Sequence, residues 1–197
     1  MRRRAASISA TLSMLVLCSF SARAQEKKKS GFQEVYTGTI VTINGPMRST
    51  SFNLSIKDFT SDQDTQKYLG LLAEGDQDDL LKVIRDLELG RLSTMRTVGR
   101  SLIVARKTPL PDGRTRIVAA FERWQTFTEL RSGGRIQDYP FGLMEIILEP
   151  GGKKGSGTFI AACKIDLKRD KKTGKYQLEL ENFGTYPHKV MGVMRRD

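Results

Sequence analysis

Helical periodicity occurs in only one stretch of this 197-residue chain, between Ser61 and Glu88. Elsewhere apolar residues alternate or gather in short runs bounded by turn signals. Parallel strands need a long crossover, usually a helix, between each pair. A single helical stretch therefore argues against βαβ architecture and leaves antiparallel pairing.

Within that stretch the boundaries are explicit. Ser61 is an N-cap type, and Asp62 and Asp64 place negative charge at the positive end of a helix. Tyr68, Leu71 and Leu72 fall at helical spacing, and Gly75 ends the run. A second helix is predicted from about Gln77 to Glu88, with Leu80, Leu81, Ile84 and Leu87 as its apolar stripe. Together they make a helical hairpin over 61–88.

Strands are predicted on both sides of it. Residues 34–43 are rich in Thr, Val and Ile, and Asn44-Gly45-Pro46 is a turn sequence. Phe52, Leu54 and Ile56 alternate with Ser51, Asn53, Ser55 and Lys57, the pattern of a half-buried strand. Further strands are predicted over 101–107, 114–124, 143–148, 158–167, 175–183 and 188–194. In the 175–183 run, Tyr176, Leu178 and Leu180 are expected to face inward. The fold class is mainly β (α+β): an antiparallel β-barrel or sandwich of about eight strands, with the helical hairpin inserted after the second strand. Alternation does not separate barrel from sandwich.

The first 24 residues read as a cleavable export signal. Arg2–Arg4 form a basic start, an apolar run centres on Leu12–Cys18, and Ala22-Arg23-Ala24 offers the small residues of a cleavage site. The large residues Val16 and Leu17 before Cys18 argue against lipid attachment there. Residues 25–33 then read as a flexible leader and 34–197 as a single β-rich domain. The expected location is secreted or periplasmic, and the apolar run is too short to span a bilayer.

Removal of the signal leaves Cys163 as the one cysteine, so no internal disulfide is available, and its apolar strand setting points to a small core residue. The formal charge of +11 falls to +7 without the four signal arginines. That balance suits weak attraction to anionic envelope surfaces, while export makes nucleic acid an unexpected partner.

Catalytic and metal motifs are sparse. His188 is the only histidine, which excludes HExxH and any multi-imidazole metal site. Asp62-Gln63-Asp64 and Asp76-Gln77-Asp78 lack the glycine and distal glutamate of a calcium loop and fit helix starts. Residues 151–157 lack the spacing of a phosphate-binding loop. Asn53-Leu54-Ser55 is formally a glycosylation sequon, set in a strand. No cofactor or metal is expected. Candidates for binding are Trp124, Arg135, Asp138 and Tyr139, charged and aromatic residues expected at strand ends, where they can line a barrel mouth. The competing expectation is a buried pair between Asp138 and one of Arg123, Arg131 or Arg135.

The runs 138–145, Gly155-Ser156-Gly157 and 180–187, with Arg116-Ile117-Val118 and Leu80-Leu81, resemble a family of small exported bacterial proteins of unknown function. The resemblance implies a bacterial envelope or extracellular setting. It assigns no catalytic or ligand-binding residue.

Three functional classes follow. One is a non-catalytic binding or interaction module of the envelope or exterior. Another is a small-molecule carrier with a barrel cavity. The third is a hydrolase using scattered groups, with Asp138, Glu122, Glu145 or His188 as candidates.

Overall fold

The alternating segments pair into one antiparallel sheet that closes on itself. The computed structural model describes residues 31–43, 48–95, 97–123, 138–169, 176–183 and 186–196. Its elements are β1 (Glu34–Val41), β2 (Ser49–Ile56), α1 (Asp62–Glu74), α2 (Gln77–Ile84), β3 (Gly90–Thr94), β4 (Thr97–Pro109), β5 (Thr115–Glu122), β6 (Phe141–Leu148), β7 (Lys154–Arg169), β8 (Tyr176–Asn182) and β9 (His188–Arg196).

Strands β1 to β7 follow one another as a meander, and β9 then closes the ring between β7 and β1. The result is a barrel of eight strands, which decides between the two predicted architectures. β8 stands outside it, paired to the far half of β7 alone among the described residues. The long β7 therefore serves two pairings on one edge: β9 along Lys154–Phe159, then β8 along Cys163–Arg169. Gly155 and Gly157 bring β7 against β6 so closely that a Cβ at Gly157 would lie 1.9 Å from the Glu145 carbonyl oxygen. Only glycine permits that approach.

Inward-facing residues fill the barrel. Tyr36, Leu54, Ile56, Leu102, Ile117, Met144, Ile146, Leu148 and Val190 are all fully buried in one cluster. Phe121 stacks on Phe159 across the interior, with centroids 6.1 Å apart. A second cluster lies outside the barrel wall, where Leu72, Leu80, Leu81 and Ile84 of the helices meet Ile103, Phe141, Leu143, Cys163 and Ile165. β6 is consequently buried on both faces over its first half.

Both helices start as their caps dictate. The Ser61 side chain accepts from the Asp64 N–H, and the Asp76 carboxylate accepts from the N–H groups of Asp78 and Asp79. Arg106 holds α1 on the wall by donating to Thr65 and Asp62. Arg85 ties α2 to the end of β5 through Glu122, at 2.9 Å.

Three expectations need correction. The barrel contains a strand, β3, that the sequence does not announce, because Leu92 is its only buried large apolar residue. The second helix ends at Ile84 rather than Glu88; Leu87 still packs on the wall, but from a turn. Leu178 and Leu180 are exposed rather than inward, because β8 lies off the barrel.

Candidate functional site

One group of polar side chains enters the interior at the end of the barrel where β1 begins. Period-2 alternation puts Glu34 on the same inward face as Tyr36 and Ile40. Glu34 is buried, and its carboxylate accepts from the Tyr36 hydroxyl at 2.6 Å and from Lys107 Nζ at 2.5 Å. Arg195 of β9 stands 3.4 Å from the same carboxylate. Lys107 also lies over the Phe59 ring, 5.9 Å from its centroid.

Burial pushes the Glu34 carboxyl pKa up, but the Lys107 and Tyr36 hydrogen bonds and the charges of Lys107 and Arg195 outweigh it. The net direction is down, so Glu34 is held as the anion. For Tyr36, burial and then the hydrogen bond to that anion push the phenol pKa well above its ordinary value. Neither group is poised for proton transfer near neutral pH. The cluster plugs the barrel end with satisfied charge.

Around the other predicted region the structure separates the candidates. Trp124 and Arg135 lie outside the described residues. Asp138 is exposed, which argues against the expected buried pair, and two of the arginines expected to form it, Arg131 and Arg135, lie outside the described residues. Its contribution is its main-chain carbonyl, which accepts from Gln77 Nε2 at 2.7 Å. Tyr139 is buried: its hydroxyl donates to Glu181 at 2.6 Å and its ring packs on Phe183, centroids 5.0 Å apart. Tyr139 thereby clamps β8 to the barrel.

The dispersed catalytic candidates do not converge. Glu122 is paired with Arg85, and Glu145 is paired with Arg116. His188 packs its ring on Phe159, centroids 6.0 Å apart, with a buried Nδ1 that has no hydrogen-bond partner among the described residues. Cys163 is buried, and burial alone raises its thiol pKa to about 11, which removes the thiolate that a cysteine nucleophile needs. Among the described residues no group of three or more His, Cys, Asp or Glu side chains could hold a metal ion.

Two hollows lie on the outside of the barrel wall. One crosses β1, β2 and β3 over Thr37, Thr39, Ser51, Asn53 and Ser93. The other lies over β6 and β7 beside Glu145 and Ser156.

Sequence reasoning missed Glu34, Lys107, Arg195 and Gln77. The signal for Glu34 was present in its two-residue spacing from Tyr36. Lys107 had none, because the irregularity in the β4–β5 register between Leu102 and Val104 resets which residues point inward. No family model, curated protein or solved structure matches this chain.

Proposed function

We propose that this protein is an exported bacterial binding module, working in the periplasm or outside the cell, that meets its partner on its outer surface. The observation that carries this reading is the filled barrel. A carrier needs an interior cavity of several hundred Å³, whereas here Tyr36, Leu54, Leu102, Met144 and Ile146 occupy that space with no measurable exposure. Two further observations support it. The catalytic candidates Glu122 and Glu145 are engaged in ion pairs with Arg85 and Arg116. The carboxylate at one end of the barrel, Glu34, is saturated by Lys107, Tyr36 and Arg195.

Two measurements on the chain beginning at Gln25 test the reading. The chain should be retained on isolated bacterial envelopes, and it should show no saturable uptake of an apolar fluorescent probe such as N-phenylnaphthylamine. Stoichiometric uptake of that probe would mean that the barrel opens to hold a ligand, and would replace the binding module with a carrier.

A further inference from the structure

We propose that the outer wall over β9, β1, β2 and β3 holds an uncharged oligosaccharide; this rests on the reading of an outer-surface binding module and names the ligand class. The wall is bent at one place. In β9, Gly192 and Val193 stand opposite the single residue Gly38 of β1, between the pairs Thr39–Met191 and Thr37–Met194. Gly192 takes a φ of +61°, a conformation that favours glycine. An extra residue of this kind bends its strand and sharpens the local twist. The hollow over β1, β2 and β3 borders this bulge at Gly38 and Gly192, and its volume is about 490 Å³. Small-molecule sites span about 300–1,000 Å³.

The floor of the hollow is polar. Thr37 lies opposite Asn53 and Thr39 opposite Ser51, and Ser93 extends the first row on the far side of Asn53. Among the described residues, the side chains of Thr37, Thr39, Ser51 and Asn53 have no hydrogen-bond partner within the protein. Polar residues on the outer face of a strand are ordinarily just solvated. Here they are set between apolar flanks. Met191 and Met194 stand beside Thr39 and Thr37 on the β9 side, and Met95 follows β3 beside Ser51. The three are 52%, 54% and 84% exposed, where a wall built only for water would carry polar side chains.

The alternation of chemistry identifies the ligand. A sugar ring presents hydroxyls at its edge and C–H groups on its faces. Threonine and serine hydroxyls and the Asn53 amide both donate and accept, as sugar hydroxyls do. The unbranched thioether chains of Met95, Met191 and Met194 are adaptable apolar surfaces for the C–H faces. From β9 to β3 is three strand spacings, about 14 Å, so the floor runs on past a single ring.

Other ligand classes fit less well. An extended peptide added to a sheet takes its affinity from main-chain pairing, and β1 and β2 are already paired along both edges. An apolar ligand would cover the hydroxyls of Thr37, Thr39 and Ser51 without bonding them, at a cost for each. An acidic polymer needs several cations, and Arg196 is the one cation that lines the hollow among the described residues.

The experiment is titration of the isotope-labelled chain beginning at Gln25 with maltotetraose and with chitotetraose, read by amide chemical shifts. One of the two should give saturable shifts at Thr37, Thr39, Ser51 and Asn53, with a Kd on the order of 1 mM for so open a site and little dependence on salt. The double variant Thr37→Val, Thr39→Val keeps the shape of both side chains and removes two hydroxyls, so it should bind about tenfold more weakly. Valine suits a strand, so its melting temperature should not fall. Absence of saturable shifts with either sugar up to roughly 20 mM, or equal binding by the folded double variant, would overturn the proposal. Shifts seen only with an acidic sugar such as tetragalacturonate, and lost in salt, would also overturn it, in favour of an anion held by Arg196. Retention on bacterial envelopes without sugar binding would sink the oligosaccharide and leave the binding-module reading standing. Loss of both would sink both.

Discussion

Gln77 offers the sharpest test of how the helices are joined to the barrel. It is buried at the first position of α2, where its side-chain amide lies between two chain segments. Nε2 donates to the Asp138 carbonyl at 2.7 Å, and Oε1 accepts from the Ile165 N–H at 3.1 Å. The β6–β7 ladder has Phe141 opposite Cys163, and continuing that register would bring Tyr139 opposite Ile165. The chain is not a strand there, so Gln77 supplies the missing peptide-like group. Replacing it with alanine strands a buried N–H, at about 1–3 kcal/mol, and a partly buried carbonyl at the lower end of that range. The total is about 2–4 kcal/mol, and in a domain of this size each kcal/mol moves the melting temperature by about 2–4 °C. Gln77→Glu keeps the acceptor for Ile165 but loses the donor to Asp138, so it should also destabilise while protecting the Ile165 amide better than alanine does. Chemical denaturation with amide exchange measured at Ile165 reads both effects. A Gln77→Ala loss under about 0.5 kcal/mol, with Ile165 still protected, would refute the bridging role.

The barrel end and the buried thiol make further predictions. Glu34 has a folded pKa below its unfolded value, so its contribution is fully present above the unfolded pKa of about 4.3. It is lost as pH falls through the folded pKa. The stability gap between wild type and Glu34→Gln should therefore be widest near neutrality and close in acid, as read by denaturant melts across pH; a gap independent of pH would contradict the pairing. Native Cys163, with its thiol pKa raised to about 11, should react with a disulfide reagent only on unfolding. Fast native labelling would mean that the helices do not cover it.

Legibility in the sequence followed what each residue type must do locally. Ser61 and Asp76 announced the helices because an N-cap is a property of a few adjacent residues. Phe52, Leu54 and Ile56 announced β2 because alternation is equally local. β3 was silent: a five-residue strand held by ladders on both edges needs little apolar content, and Leu92 sufficed. Leu178 and Leu180 misled because alternation tells which residues share a face, not whether anything covers that face. At the candidate site, Tyr139 is placed by Glu181 and Phe183, more than forty residues away in sequence. Lys107 and Glu34 meet across 73 residues, and no local pattern encodes such a meeting.

Closure through β9 sets an order on assembly. β1 is the first of the barrel strands to be made and β9 the last, yet they must pair, with Val35 opposite Arg196. Until residues 188–196 are available, β1 and β7 each have an unpaired edge and the apolar interior is open along a seam. Such edges recruit other chains. A ribosome-bound or clipped chain lacking those nine residues is therefore sticky rather than merely less stable. The same seam delays the ion pair of Arg195 with Glu34, so the plug at the barrel end is complete only once the ring has shut.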